Sequence, residues 1–259
     1  MLVRAGVALI IAMLPVRALA GSALPGGFVF LRDIDPTIVQ DIRYATSHNF
    51  VGRPIKGYLA AECILSVSAA NALETVQRKL AEKKLSLIVW DCYRPMRAVD
   101  DFLQWSNDPT HTEMKTEFYP RTDKEQLFAL GYLAKRSAHS RGSTVDLGIV
   151  PAGSSFAPPP NPAQPLKSCT LPKSERFEDG TIDFGTGYDC LDVLANTSNA
   201  LVGEAALLNR QTLKSHMEAA GFRPYAKEWW HFELVNEPFH DGFDFEVSAS
   251  SSPNEQPAR

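Results

Sequence analysis

Residues 137–146 read SAHSRGSTVD, and residues 228–231 read EWWH. These two short stretches combine two histidines with two carboxylates. A catalytic zinc ion takes three protein nitrogen or oxygen ligands at about 2.0–2.2 Å and keeps one position open for water. His139, Asp146 and His231 would supply such a ligand set, and Glu228 would remain free to act as a base. The pattern therefore predicts a candidate metal centre.

Each of these residues also has an ordinary structural explanation. A histidine before a strand can cap a turn, Asp146 can tie down a loop, and Glu228 can form half of a surface ion pair. Residues three apart in an ideal strand point to opposite faces, so Glu228 and His231 converge only where the backbone bends or bulges. Spacing alone does not choose between these interpretations.

Several familiar catalytic motifs are missing from the chain. It contains no G-x-G-x-x-G, no G-x-x-x-x-G-K-[ST], no G-x-S-x-G, no H-E-x-x-H and no S-x-x-K. The usual sequence signals of dinucleotide sites, P-loops, serine hydrolases and zincins are therefore absent. The remaining histidines, His48, His111, His216 and His240, have no ligand-like neighbours and are interpreted as surface or structural residues.

Hydrophobic periodicity predicts a mixed fold. Apolar residues at helical spacing, with Ser66 or Ser68 as a cap, predict a helix over residues 66–83. No steady alternation of strand and helix is apparent, which favours an α+β fold over a doubly wound sheet. The other predicted elements are strands at Leu85–Trp90, 143–150 and Trp229–Val235, helices at Met96–Trp105 and 204–220, and an irregular segment over Pro151–Asp183.

The wider sequence resembles a known family of zinc peptidases. The two opening stretches are similar to the S-x-H-x-x-G-x-[AT]-x-D and E-x-W-H signatures of peptidases that include the D-alanyl-D-alanine dipeptidases and the hedgehog-like DD-peptidases. Three more segments resemble the dipeptidase branch, and the resemblance spans roughly residues 33–247 in the expected order. These segments are YATSHNFVG at 44–52 followed by Gly57 and Tyr58, WDCYRP at 90–95 followed by RAV at 97–99, and FGTGYD at 184–189.

The resemblance implies a fold, a reaction and a role for each site residue. The fold is a single α+β domain of the hedgehog/DD-peptidase type, with a small, mainly antiparallel sheet flanked by helices. The reaction is hydrolysis of D-alanyl-D-alanine to two D-alanines by a metal-activated water, with one Zn(II) per chain and a small dipeptide substrate. The implied roles are zinc ligation by His139, Asp146 and His231, general base catalysis by Glu228, oxyanion stabilisation by Arg94, and substrate binding by Asp189, Tyr44 and Ser137.

The chemistry of these residue types suits those roles. A guanidinium is always charged and presents forked donors, so Arg94 suits an oxyanion, although it could instead be a structural partner of Asp91. Asp189 is the expected partner of the substrate ammonium. The hydroxyls of Tyr44 and Ser137 could also simply brace their loops.

Two other functions stay open at this point. A related zinc carboxypeptidase or endopeptidase would trim longer peptidoglycan stem peptides, and a wall-binding or sensing module would keep the metal for stability alone. The predicted ammonium partner Asp189 argues against the first alternative. The presence of both Glu228 and Arg94 argues against the second.

The first twenty residues, MLVRAGVALIIAMLPVRALA, predict an export signal. Arg4 precedes an apolar run that ends in the small-residue pattern Ala18-Leu19-Ala20, which is typical of a secretory signal peptide. The run is shorter than the roughly 20 residues that span a membrane, so we expect no stable membrane insertion after cleavage. The predicted organisation is a signal peptide at 1–20, a catalytic domain at 21–247 and a disordered tail at 248–259, in a periplasmic protein of unknown oligomeric state.

Composition and cysteine count agree with an exported globular protein. The chain is 22% charged and 44% hydrophobic with a formal net charge of −4, which excludes collagen and coiled coils and argues against a nucleic-acid partner. Export allows the four cysteines to form disulfides, and three pairings are possible. We favour Cys63 with Cys92 and Cys169 with Cys190.

Overall fold

The computed structural model describes residues 24–156, 158–161 and 164–250. Within these ranges the chain forms five helices and two small sheets, which confirms the predicted single-domain α+β class. The predicted signal peptide and most of the predicted tail lie outside the described residues. The strands are β1 (Phe28–Phe30), β2 (Val39–Gln40), β3 (Ile64–Ser66), β4 (Leu85–Asp91), β5 (Thr144–Pro151), β6 (Phe222–Tyr225) and β7 (Glu228–Leu234).

Five strands form the main sheet, in the order β2-β4-β5-β7-β6. Only the short pair β2–β4 is parallel, and the other three pairs are antiparallel. The sheet is therefore mainly antiparallel, as expected. Strands β1 and β3 form a separate antiparallel pair, which was not predicted because a strand of three residues shows no clear sequence pattern.

The three longest helices, α2, α3 and α5, lie close to their predicted positions, whereas the two four-residue helices α1 and α4 were not predicted. Ser66 caps α2, its hydroxyl accepting a hydrogen bond from the backbone nitrogen of Ala69. The apolar stripe of α2 is buried and packs against β4, while α5 packs against β6 and contacts α2. The helices are α1 (Leu31–Ile34), α2 (Val67–Ala81), α3 (Met96–Asn107), α4 (Lys115–Phe118) and α5 (Glu204–Ala219).

Two central strands form the core around which the site is built. In β4 every residue after Leu85 is buried, and in β5 every residue before Pro151 is buried. Strands covered on both faces read as continuous apolar runs, which is why they were recognisable in the sequence. The described residues between 152 and 183 form neither helix nor strand, as predicted.

Both expected disulfides are present, linking Cys63 to Cys92 and Cys169 to Cys190. The first joins the chain just before β3 to the residue that follows β4. Disulfides of this kind persist in oxidising compartments, so they are typical of an extracytoplasmic protein. None of the described helices is long and apolar enough to span a bilayer.

Candidate active site

A pocket of about 370 Å³ opens over the ends of β4, β5 and β7. Four acidic and four arginine side chains contribute to its lining, together with two histidines and several aromatic rings. All eight residues predicted to act in catalysis, metal binding or substrate binding line this one pocket: Tyr44, Arg94, Ser137, His139, Asp146, Asp189, Glu228 and His231.

His139, Asp146 and His231 converge on a single point. His139 Nε2 lies 3.3 Å from Asp146 Oδ1, His231 Nδ1 lies 3.1 Å from the same oxygen, and the two ring nitrogens are 3.2 Å apart. Three ligands about 2.0–2.1 Å from a tetrahedral metal ion would be separated by about 3.3–3.4 Å. The three atoms therefore form a triangle of the size that one face of a zinc coordination sphere requires.

The surroundings of this triangle also fit a metal. Asp146 Oδ1 is buried and has no hydrogen-bond partner among the described residues, although its charge is retained. Burial opposes that charge, but the neighbouring His139 and His231 outweigh burial and hold the pKa of Asp146 far below its usual range. A buried, ionised and unsatisfied oxygen beside two histidine nitrogens is the arrangement that a bound cation would complete.

Local backbone structure places each of the three residues. His139 lies in a short 3₁₀ turn at Ala138–Arg141 that is capped by the hydroxyl of Ser137. Asp146 on β5 and His231 on β7 are direct cross-strand partners. The ring Nδ1 of His139 donates to the carbonyl oxygen of Cys92 at 2.8 Å, which turns its Nε2 toward the triangle.

A bulge in β7 brings Glu228 beside His231. Pro224 pairs with Phe232, yet the next residue, Tyr225, pairs with Glu228, so the register shifts within the EWWH stretch. This is the distortion that an ideal strand lacks. It leaves Glu228 Oε2 3.6 Å from His231 Nδ1, and burial raises the pKa of Glu228 to about 7. A carboxylate with this pKa can accept and release a proton near neutral pH.

Arg94 is held on the opposite wall by Asp91. Its Nε donates to Asp91 Oδ2 at 2.9 Å, and its Nη2 lies 2.8 Å from the same oxygen and 3.7 Å from Asp146 Oδ2. The guanidinium also lies over the rings of Tyr44 and Phe102. The structural pairing with Asp91 and a position facing the pocket are therefore compatible, and the two alternatives left open by the sequence do not exclude each other.

Asp189 and Tyr44 form a second polar group in the pocket. The hydroxyl of Tyr44 donates to Asp189 Oδ2 at 2.9 Å. Burial, reinforced by the charge of Asp146, raises the pKa of Asp189 well above its usual range. Asp189 also has a φ of 54°, in the left-handed region, and strained positions of this kind concentrate at functional sites. A cation bound beside this buried carboxyl group would stabilise its ionised form.

Three further residues support the site; Tyr188 and Glu233 had no role assigned from sequence, and Asp91 had been considered only as a structural partner of Arg94. Asp91 holds Arg94 and lies 3.4 Å from His139 Nδ1, Tyr188 donates a 3.2 Å hydrogen bond to Asp146 Oδ2, and Glu233 lies 3.8 Å from His231 Nε2. Asp91 and Tyr188 belong to the WDCYRP and FGTGYD segments, so their positions within motifs were the available signal. Glu233 carried no such signal.

His48, which lies outside the triangle, has a structural explanation. His48 is buried and bonded between Arg43 and Glu117, which makes it structural. In the described part of the chain, His139, Asp146 and His231 are the group of acidic, histidine or cysteine residues that could hold a metal ion.

The chain is similar to known proteins over most of its length. A family model described as D-ala-D-ala dipeptidase matches residues 25–155 and 167–248, and the gap between the two matches lies in the irregular segment Pro151–Asp183. A D-alanyl-D-alanine dipeptidase of Enterococcus faecalis is 34% identical over 226 residues, covering 87% of this chain and 100% of that protein. The corresponding protein of Streptomyces coelicolor is 35% identical over 227 residues, with the same coverage, and that of Escherichia coli is 28% identical over 80% of this chain and 83% of its own length.

Proposed function

This chain belongs to the D-ala-D-ala dipeptidase family of metal-dependent peptidases, and from this premise we propose that it is a zinc enzyme that hydrolyses D-alanyl-D-alanine to two D-alanines. The observation that carries the proposal is the 3.1–3.3 Å triangle of His139, Asp146 and His231 with the buried carboxylate of Glu228 beside it. In this proposal the triangle holds one Zn(II). Zn(II), when bound, supplies Lewis-acid polarisation of the scissile carbonyl and acidifies a water.

Glu228 acts as the general base. It takes a proton from the water that attacks the scissile carbonyl carbon, and it returns that proton to the nitrogen of the departing D-alanine as the C–N bond breaks. Its raised pKa supports both transfers, since one carboxyl group must be a base first and an acid afterwards. Neither transfer leaves a covalent bond between the enzyme and the substrate.

Arg94 stabilises the oxyanion of the tetrahedral intermediate. Its Nε and Nη2 are engaged by Asp91, which fixes the plane of the guanidinium, while Nη1 lies 3.5 Å from Ser137 Oγ in the pocket wall. A donor that is held in place before the reaction loses little entropy when charge develops. Removing one such donor typically costs about 10²–10³ in rate.

Asp189 binds the substrate ammonium, with Tyr44 orienting the carboxyl group. The raised pKa of Asp189 reflects its burial, and an ammonium group placed beside it would restore its charge. Ser137 contributes by capping the turn that carries His139. A substrate whose amine is acylated would leave Asp189 unpaired, so longer stem peptides are expected to be poor substrates.

The decisive experiment combines metal analysis with a substrate comparison. Purified wild-type protein is expected to contain one zinc per chain and to cleave free D-Ala-D-Ala, but not an N-acylated tripeptide that ends in D-Ala-D-Ala. Preferred cleavage of the tripeptide would instead identify a stem-peptide carboxypeptidase. Stoichiometric zinc without hydrolysis of any D-alanyl peptide would identify a binding module.

A variant pair tests the assigned base. Glu228→Gln keeps the side-chain shape and is expected to retain zinc while losing about 10²–10⁴ in kcat. Glu218→Gln, on the exposed surface of α5, removes the same charge and serves as the control. Turnover of zinc-loaded Glu228→Gln close to that of wild type would refute the mechanism.

We also propose that residues 1–20 are a cleaved export signal, that the catalytic domain spans 21–247, that 248–259 form a tail, and that the enzyme works in the periplasm. The two disulfides support this location because they need an oxidising compartment. Cell fractionation with mass spectrometry of the mature N-terminus tests it. Active cytoplasmic protein that retains residues 1–20 would contradict it.

A further inference from the structure

A free dipeptide carries two charged ends, and the pocket must accommodate both. Asp189 accounts for the ammonium end. The carboxylate end needs a cationic partner, because a carboxylate that loses water without a compensating hydrogen bond is strongly destabilised. The arginines that line the pocket are the candidates for that partner, and the inference below rests on the proposed cleavage of a peptide with a free C-terminal carboxylate.

Four arginines line the pocket, and three are already engaged by carboxylates. Arg94 is bound by Asp91, as described above. Arg223 Nη2 lies 2.5 Å from Glu233 Oε2, and its Nε also donates to that oxygen. Arg141 Nε donates to Glu237 Oε1 at 2.7 Å.

Arg136 differs from the other three. It is exposed, it lines the pocket, and no carboxylate in the described part of the chain lies within ion-pair distance of its guanidinium. It directly precedes Ser137, the cap of the turn that carries His139, so its backbone is anchored next to the metal triangle. Arg136 also lines the adjoining cleft beside Arg97 and His240, which places its side chain on the rim between the two cavities.

From this arrangement we infer that Arg136 binds the C-terminal carboxylate of the substrate and makes that free carboxylate a specificity determinant. The guanidinium offers two parallel donors, which match the two oxygens of a carboxylate. The substrate then lies across the pocket with its ammonium end at Asp189, its scissile carbonyl at the metal triangle and its carboxylate at the rim. Arg94 remains available for the oxyanion, because a separate arginine neutralises the carboxylate.

The test measures whether Arg136 and the substrate carboxylate depend on each other. D-Ala-D-Ala and D-Ala-D-Ala amide, which lacks the terminal charge, are assayed with wild type, Arg136→Gln and Arg136→Lys. We expect Arg136→Gln to raise KM for the dipeptide about tenfold with little change in kcat, since a charge-assisted hydrogen bond at an exposed rim is of this strength. The KM for the amide should change little, and Arg136→Lys should recover part of the loss for the dipeptide.

Lys135→Gln is the matched control. Lys135 neighbours Arg136 and carries the same charge, but it lines other surface clefts and not the active-site pocket. An equal rise in KM with Lys135→Gln would show that any positive charge in this region attracts the substrate. It would therefore overturn the assignment of Arg136 to the substrate carboxylate. An equal rise for dipeptide and amide with Arg136→Gln, or no rise for either, would also overturn it.

A binding measurement keeps this test separate from that of the proposed function. In the zinc-loaded Glu228→Gln background, calorimetry of the dipeptide and its amide with and without Arg136→Gln should show the same loss of discrimination. If wild type does not cleave D-Ala-D-Ala at all, the proposed function fails, whatever Arg136 does. If it cleaves the dipeptide and Arg136→Gln still discriminates fully against the amide in both assays, only the assignment of Arg136 fails.

Discussion

Removing the Cys63–Cys92 disulfide should weaken metal binding, whereas removing Cys169–Cys190 should not. The carbonyl oxygen of Cys92 accepts the Nδ1 hydrogen of His139 at 2.8 Å, so this disulfide fixes the group that orients one corner of the metal triangle. The perturbation is the double variant Cys63→Ala/Cys92→Ala. The other double variant, Cys169→Ala/Cys190→Ala, is the control.

The two variants are matched in their expected cost to stability. The bridged cysteines are 29 residues apart in the first disulfide and 21 in the second. In the chain-entropy treatment these loops correspond to about 3.6 and about 3.3 kcal/mol of stabilisation. All four cysteines are buried, so the loss of side-chain packing is similar as well. A difference in metal affinity between the variants therefore cannot come from global destabilisation.

The expected loss of zinc affinity for Cys63→Ala/Cys92→Ala is about tenfold. Groups that orient a metal ligand typically contribute about 10–100-fold. We expect the lower end of this range, because the backbone nitrogen of Tyr93 also donates to Ile64 O and partly holds the segment. Zinc affinity is measured by competition with a chromophoric chelator, and stability by urea unfolding of the metal-free proteins, which removes the contribution of metal binding to stability.

Two outcomes would refute this reasoning. Unchanged zinc affinity in Cys63→Ala/Cys92→Ala would show that the carbonyl of Cys92 keeps its place without the disulfide. An equal loss of affinity in Cys169→Ala/Cys190→Ala would show that zinc binding follows global stability. The control is judged on zinc affinity alone, because Cys190 adjoins Asp189 and its removal can alter KM.

Two further predictions concern groups outside the metal triangle. Tyr188→Phe removes the hydroxyl that donates to Asp146 but keeps the ring. Zinc affinity should therefore fall at least about tenfold while the fold stays intact. Chelator competition measures this affinity, and an unchanged value would contradict the prediction. His48 lies between Arg43 and Glu117, and burial lowers its pKa in the folded protein. Because the unfolded chain then binds a proton more readily, the protein should lose stability as the pH falls from about 6.5 to the lower pKa of the folded state. Urea unfolding at several pH values should show this slope in wild type and a smaller one in His48→Gln, and identical slopes would contradict it.

Elements with a long, regular pattern were predictable from sequence. The apolar stripe of α2 and the continuous apolar run of β4 reflect burial that follows directly from residue type, and both were located within a few residues. Strands β1, β2, β3 and β6 were missed because two to four residues carry too little periodicity to be recognised. Strands β1, β2 and β3 form with partners that are distant in the chain, whereas β6 forms a hairpin with β7, which begins three residues later.

The candidate site divides in the same way. The motifs identified residue types that suit metal binding and proton transfer, and all of them line one pocket. The sequence left open whether Glu228 and His231 could converge, since strand geometry argues against it, and the bulge in β7 resolves this. The sequence also presented Arg94 as either catalytic or structural, whereas its contact with Asp91 and its position in the pocket are compatible with both roles.

By itself, the sequence determined which functional groups this protein can use: two histidines and a carboxylate of the types that bind metals, a separate carboxylate that can act as a base, and an arginine. Only the tertiary structure decided that three atoms from a 3₁₀ turn and two strands meet within 3.1–3.3 Å, and that Arg136 alone among the arginines of the pocket lacks a carboxylate partner in the described part of the chain. The physical reason is that residue type sets what a side chain can bind, whereas cross-strand register and ion pairing between distant residues set which side chains meet and which charges remain free.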